Sequence, residues 1–258
     1  MKTQEVPQRL RGFFSVFDKI CGRWDQQQVF DDFLTMALCA FALQTEEDLY
    51  FQTIKKYDLK ELNLFPHLLA EWVKAHDEFM KGGTPAHNQW FDSLGTFYEM
   101  LRSNYKASKL GQFFTPESLC SVMAQITMID AKARDANLEK ENFKILDPCC
   151  GSGRLPLAMN AIEPGKHFFV CQDIDFMCVK MTALNMLIHG MEGQVLHMDT
   201  LRMDYFTGFS INHMLKSHKA SSIIRLKESE KKEPEKPRIE EAQIVKEEKE
   251  KGGFSGIF

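Results

Sequence analysis

The chain has 258 residues, 44% of them hydrophobic and 26% charged, and its 32 Lys plus Arg against 36 Asp plus Glu leave a net charge of −4. This balance is that of an ordinary soluble globular protein, and it excludes a strongly basic nucleic-acid clamp as the whole of its function. The longest stretch without a charged residue, Phe33 to Thr45, has 13 residues, well short of the roughly 20 that a membrane span needs.

The first zone, residues 1–110, reads as helical. Lys2, Arg9 and Arg11 stand near the start, but Asp18 and Lys19 interrupt the apolar stretch behind them, which argues against a signal peptide. Phe30, Phe33, Leu34, Ala37, Leu38 and Phe41 recur at helical spacing and form one apolar stripe. Thr45 suits an N-cap, with Glu46, Glu47 and Asp48 in the first turn. Leu62, Phe65, Leu69, Trp72, Val73 and Phe79 predict a helix that ends at Gly82-Gly83, kinked or delayed by Pro66. Asp92 to Asn104 predicts another, with Leu94, Phe97, Tyr98 and Leu101 inward. At this spacing the aromatics read as the core of a helical bundle rather than as base-stacking platforms.

The second zone, residues 111–224, opens with Gly111-Gln-Phe-Phe-Thr-Pro116, a helix start with Thr115 as N-cap and Pro116 as first residue, and Leu119, Val122, Met123 and Ile126 as its stripe. Three short apolar runs follow, Phe143 to Leu146, His167 to Cys171 and Gln194 to Met198, each leading to an acid: Asp147, Asp173 and Asp199. Helical patterns from Arg154 to Ile162 and from Asp175 to Gly190 separate them. Strand and helix in alternation predict an α/β fold, a parallel sheet with crossover helices, for which Ser221 to Leu226 offers a fourth strand.

The third zone, residues 225–258, is different. Between Arg225 and Lys251 18 of 27 residues are charged, nine of each sign, with Pro234 and Pro237 but no aromatic residue. Such a segment cannot bury a core and is expected to be mostly disordered. The closing GGFSGIF, residues 252–258, is either an idle end or a docking peptide. Seven scattered cysteines without a CxxC predict reduced thiols and a cytoplasmic location rather than a disulfide framework.

The chemistry concentrates in Phe143-Lys-Ile-Leu-Asp-Pro-Cys-Cys-Gly-Ser-Gly153. A strand ends in an acid, turns through Gly-x-Gly and enters a helix. Glycines at 151 and 153 let a ligand approach the backbone, and the helix presents free N–H groups. Pro156 lies in the first turn of that helix, where proline costs little. In doubly wound nucleotide folds an acid at the end of the second strand bonds ribose hydroxyls, which points to Asp173; at the end of the third, Asp199 can accept from an adenine amine.

Together, Gly111 to Pro116 and Asp147 to Gly153 resemble the N6-adenine DNA methyltransferases, in particular the modification subunit of type I restriction systems, over roughly residues 90 to 203. The resemblance implies a Rossmann-like methyltransferase fold behind a helical N-terminal domain. It implies S-adenosylmethionine as cofactor, with Phe114, Thr115 and Pro116 over its methionine end. Asp147, Cys149, Gly151 and Gly153 would lie in the loop beneath that end, Asp173 on the ribose, Ile174 beside the adenine and Asp199 on the adenine amine. It implies DNA as substrate, engaged through a partner such as a specificity subunit. No metal is expected, since Cys149, Cys150, Cys171 and Cys178 fit no standard zinc spacing.

The family's catalytic loop, Asn-Pro-Pro followed by an aromatic residue, has no match. The chain has no Pro-Pro dipeptide, and no proline lies between Pro164 and Pro234. Phe209-Ser-Ile-Asn212-His213 has an asparagine near aromatics and lacks the prolines. The family's later strands lack counterparts too. No catalytic residue is therefore assigned. Two readings follow: an adenine methyltransferase that needs a partner, or a non-catalytic S-adenosylmethionine-binding module. A nicotinamide oxidoreductase is disfavoured because Pro156 stands where G-x-G-x-x-G has its third glycine.

Overall fold

The computed structural model describes residues 5–42, 45–81, 90–104, 114–134, 142, 144–218 and 220–226. After a 3-10 turn at Gln8–Leu10 come the helices α1 (Arg11–Ile20), α2 (Gln26–Ala40), α3 (Glu47–Ile54), α4 (Leu59–Leu62), α5 (Leu64–Lys81), α6 (Ser93–Asn104) and α7 (Glu117–Arg134). Strand and helix then alternate as β1 (Lys144–Asp147), α8 (Arg154–Ile162), β2 (Phe168–Asp173), α9 (Phe176–Ile188) and β3 (Glu192–Asp199). The series closes with β4 (Asp204–Ile211), α10 (Leu215–His218) and β5 (Ile223–Arg225). The expectations for Gly82-Gly83, for residues 111–113 and for the charged tail from residue 227 onward lie outside the described residues.

The aromatic pattern of the first zone is core. Phe97 meets Phe13 at 4.8 Å and Phe17 at 5.0 Å, both edge to face, the arrangement that the ring quadrupole favours. The α2 stripe is buried from Val29 to Cys39, behind an Asp25 N-cap that accepts from Gln28 N. Three local readings are corrected. Thr45 donates its hydroxyl back to Ala42 O and α3 starts after Glu46. The inward face of α5 is Phe65, Leu68, Trp72, Ala75 and His76, leaving Val73 exposed, and Pro66 is absorbed in the first turn. In α7, Glu117 is the first helical residue and the buried face is Cys120, Ala124 and Met128. The stripe Leu119, Val122, Met123 and Ile126 points to solvent.

The sheet has the order β1-β2-β3-β4-β5. β1, β2 and β3 are parallel, as the crossover helices require. β4, which the sequence reading missed, turns back through residues 200–203 and pairs antiparallel with β3, and β5 pairs antiparallel with β4. The parallel expectation for the whole of residues 143–226 thus holds for three strands and is corrected for two. On the β5 side Ile223 N donates to Phe41 O, and Arg225 forms a bidentate pair with Glu46. On the other side, β1 pairs with β2 alone among the described residues. Phe169, Cys171 and Val195 are buried and alternate with half-buried Phe168, Val170 and Leu196. One sheet face is therefore fully covered and the other only in part, although parallel strands normally have both faces covered.

The helical layer and the sheet share one apolar core, and every described residue belongs to one unit, Met1–Leu226. Among the described residues no helix is long and apolar enough to cross a membrane. Polar ties fasten the layers. Lys180 of α9 donates to Thr35 of α2 at 2.9 Å. His189 Nδ1 lies 2.7 Å from Asn185 O. A carbonyl only accepts, so Nδ1 carries the proton and Nε2 is the acceptor. Nε2 then receives Phe91 N at 3.3 Å and His76 Nε2 at 3.2 Å.

Burial, reinforced by His76, lowers the His189 pKa to about 3, and burial lowers His76 too. Both rings are neutral in the folded protein, whereas an unfolded histidine titrates near about 6.5. Between these values the unfolded chain binds more protons, so stability falls as pH falls through that window. At pH 5 the expected loss through His189 is on the order of 2 kcal/mol. Urea unfolding from pH 7 to pH 4 measures it: His189→Gln should flatten the slope, and an unchanged slope would refute the assignment.

Candidate functional site

The C-terminal ends of β1, β2 and β3 bring most of the expected residues together. In this half of an α/β sheet ligands bind outside the carboxyl ends of the strands. β1 ends at Asp147, whose Oδ1 accepts from Cys149 N at 3.3 Å. The chain then turns through Gly151, with φ +56°, and Gly153, with φ +91°, and Gly153 forms the N-cap of α8. Gly151 is required twice over. Its backbone is left-handed, and an added Cβ would lie 2.9 Å from the Phe114 ring. β2 ends at Asp173, whose Oδ2 accepts from Gly151 N and whose Oδ1 accepts from Asp175 N, both at 2.8 Å. The acid of the second strand thus holds the loop of the first.

Burial raises the pKa of both acids. For Asp147 the nearby Asp173 adds to the effect, while the Cys149 N–H opposes it. For Asp173 the backbone N–H bonds oppose it. Among the described residues neither carboxylate forms an ion pair. A half-buried acid, Asp147, and a buried one, Asp173, without a cation make a site suited to positive charge.

Ile174 is 62% exposed beside Asp173, and His197 Nε2 lies 3.0 Å from its carbonyl oxygen. Cys149 is exposed, and burial raises its thiol pKa, with Asp147 and Asp173 adding to it. Phe114 is half-buried; its ring centroid lies 5.6 Å from Tyr98 and 5.4 Å from the Arg154 guanidinium. Thr115 O accepts from Arg154 Nη1 at 3.2 Å, and Pro116 O accepts the first helical bond, from Cys120 N. Asp199 sits differently. Its Oδ1 accepts from Leu201 N and Arg202 N, each at 3.1 Å, and caps the β3–β4 turn. The next residue, Thr200, donates to Pro148 O at 2.9 Å and ties that turn to the glycine loop.

The sequence reading missed the support beneath the loop. Asp92, the N-cap of α6, is fully buried, and four groups donate to its carboxylate. Gly95 N and Asn185 Nδ2 reach Oδ1 at 2.8 Å, while Ser152 Oγ at 2.6 Å and Arg154 Nε at 2.8 Å reach Oδ2. Arg154 also forms a bidentate pair with Glu99, which accepts from Phe114 N at 3.3 Å. Burial works to lower the Arg154 pKa, but Asp92 and Glu99 outweigh it and hold the charge. Gly95 admits the approach, since a Cβ there would lie 2.4 Å from Ser152 Oγ. The available signal was Asp92 before a helix, which alone means a cap. The cavity of about 480 Å³ lined by Pro7, Gln8, Arg9, Glu78 and Phe91 shares no residue with this site.

Asn212, the asparagine nearest to a catalytic candidate, is fully buried with φ +57°. Its Nδ2 donates to Met186 O, Leu187 O and Met191 O, and its Oδ1 accepts from Ser222 N. It fastens the β4–β5 connection and has no free amide for a substrate.

Parallel strands joined by crossover helices, with a glycine turn after the first and an acid closing the second, define a Rossmann-like α/β protein. Within that class the chain belongs to the N-6 DNA methylase family, whose model matches residues 89–250. It is 26% identical over 133 residues to the type I restriction enzyme MjaIX methylase subunit of Methanocaldococcus jannaschii, covering 48% of this chain and 22% of that protein. The chain therefore spans about a fifth of the length of this relative. The crystal structure of the type I restriction-modification system methyltransferase subunit from Streptococcus thermophilus aligns with a TM-score of 0.42 and 15% identity. That alignment covers 78% of this chain and 59% of the other.

Proposed function

We propose that the glycine loop holds S-adenosylmethionine and that the chain is the cofactor half of an adenine-N6 DNA methyltransferase of a restriction-modification system, acting in the cytoplasm. The observation that carries this reading is the pair of half-buried Asp147 and buried Asp173, without a cation among the described residues, around a left-handed glycine turn. The cofactor has an ammonium and a carboxylate at its methionine end, a sulfonium between that end and the ribose, and adenine at the other end, and it supplies an activated methyl group when bound. Asp147 and the loop Cys149 to Gly153 would hold the methionine end beneath Phe114, Thr115 and Pro116. Asp173 keeps lone pairs on both oxygens for the ribose hydroxyls, Ile174 offers an apolar surface to the adenine, and Asp199 would share Oδ2, which lies 3.8 Å from the exposed Arg202 Nε, with the adenine amine. In this reading residues 1–110 support the loop, residues 111–224 hold the cofactor, and the tail expected from residue 225 begins only beyond β5, whose last residue is Arg225. DNA and a specificity subunit would be reached through a partner chain.

Calorimetry with S-adenosylhomocysteine tests the reading. The intact protein should bind, and Asp173→Ala should weaken binding by about 1–3 kcal/mol, the range for hydrogen bonds to a charged group. Absence of binding, or equal binding by the variant, would overturn it. Asn212 favours a second reading, a non-catalytic module that binds the cofactor without using it, because its amide is fully used within the fold.

A further inference from the structure

Phe114-Thr115-Pro116 lies outside any helix or strand, and α6 and α8 fix where it stands. Phe114 N donates to Glu99 Oε1 at 3.3 Å, and the Phe114 ring packs on the neighbouring Tyr98. The same ring reaches the glycine loop, where an added Cβ on Gly151 would meet it at 2.9 Å. Arg154, the first residue of α8, closes the circuit. Its Nη1 donates to Thr115 O and to Glu99, its Nη2 donates to Glu99, and its guanidinium faces the Phe114 ring. Asp92 and Glu99 stand about two helical turns apart on one face of α6 and hold different edges of that guanidinium.

The two acids do different things. Asp92 is fully buried and holds the loop from beneath, through Ser152 and Asn185. The Glu99 side chain is 34% exposed, and it is the one that reaches the backbone of residue 114. Outside regular structure a backbone N–H has no ladder partner, so the acceptor it finds decides where its residue stands. Oε1 of Glu99 takes both Phe114 N and Arg154 Nη1, and so ties the segment above the loop to the helix that follows the loop. We propose that Glu99 is a positioning residue for the cofactor: it clamps Phe114 over the methionine end and slows release of the bound molecule, as a closed lid does. The proposal rests on the glycine loop being the S-adenosylmethionine site.

Glu99→Ala leaves Arg154 bonded to Asp92, so no buried charge loses its last partner and the variant should fold. It should bind S-adenosylhomocysteine about tenfold more weakly, the upper range for one hydrogen bond, with the loss in a faster dissociation rate. Glu99→Gln keeps an acceptor for Phe114 N and loses the charge that faces Arg154. Its melting temperature without ligand should fall with that of Glu99→Ala, while its affinity returns toward wild type. A purely structural role would move stability and affinity together. Methylthioadenosine, which has the adenosine and no amino-acid end, should bind wild type and Glu99→Ala alike. Three outcomes overturn the proposal and leave the cofactor site standing: equal binding of S-adenosylhomocysteine by wild type and Glu99→Ala, no recovery in Glu99→Gln, or parallel loss of both ligands. A wild-type protein that does not bind S-adenosylhomocysteine overturns the cofactor site and the proposal together.

Discussion

Asp92→Ala is expected to destabilise the protein by about 3–5 kcal/mol, the cost of leaving a buried charge without its partner. The charge left behind is Arg154, only 7% exposed at its side chain and 2.8 Å from Asp92 Oδ2. Ser152, Asn185 and the Gly95 N–H lose their acceptor in the same step. Glu99 cannot compensate, since it already pairs with the other edge of the guanidinium. For a chain of this size the loss corresponds to a fall in Tm of roughly 6–20 °C. Thermal unfolding followed by circular dichroism measures it, and a change below about 1 kcal/mol would mean that the network contributes no more than a surface ion pair. The same variant should loosen the glycine loop, because Ser152 lies between Gly151 and Gly153.

The isolated chain should not methylate DNA at a rate typical of its family. Placing an acceptor nitrogen in line with a methyl group is worth on the order of 7–11 kcal/mol, an effective molarity of about 10⁵–10⁸ M. That placement requires groups that accept from the adenine amine and stack on the flipped base. Among the described residues after β3, Asp204, Tyr205 and Phe206 reach the C-terminal edge of the sheet at the start of β4, and no asparagine with a free amide accompanies them. The chain returns as β4, antiparallel to β3, and Asn212 is consumed by backbone carbonyls. Transfer of a tritiated methyl group from S-adenosylmethionine to adenine-containing DNA should therefore stay at background for the purified protein. A turnover of about one per minute or faster, within an ordinary enzyme's reach and abolished by Gly151→Asp, would prove this expectation wrong.

How much of this was legible in the sequence differs by element. The helices α2, α6, α8 and α9 and the strands β1 to β3 follow from local pattern, because one face of each is apolar at the matching period and their ends carry acids, glycines or caps. The loop residues Asp147, Gly151, Gly153 and Asp173 were legible for a related reason. Close backbone approach and left-handed turns admit few residue types, so the constraint is written into the residues themselves. Where the pattern was ambiguous, the tertiary structure decided. β4 contains Gly208 and begins in a turn closed by Asp199, and its partner is chosen by pairing with β3, which no local period reveals. The two apolar faces of α7 look alike in sequence; packing against α8 buries Cys120, Ala124 and Met128 and leaves the larger side chains outside. Asp92 reads as a helix cap from its neighbours alone. Its role as the hub beneath the glycine loop depends on Ser152, Arg154 and Asn185, which lie 60, 62 and 93 positions away and converge on one carboxylate only once the helical layer has folded against the sheet.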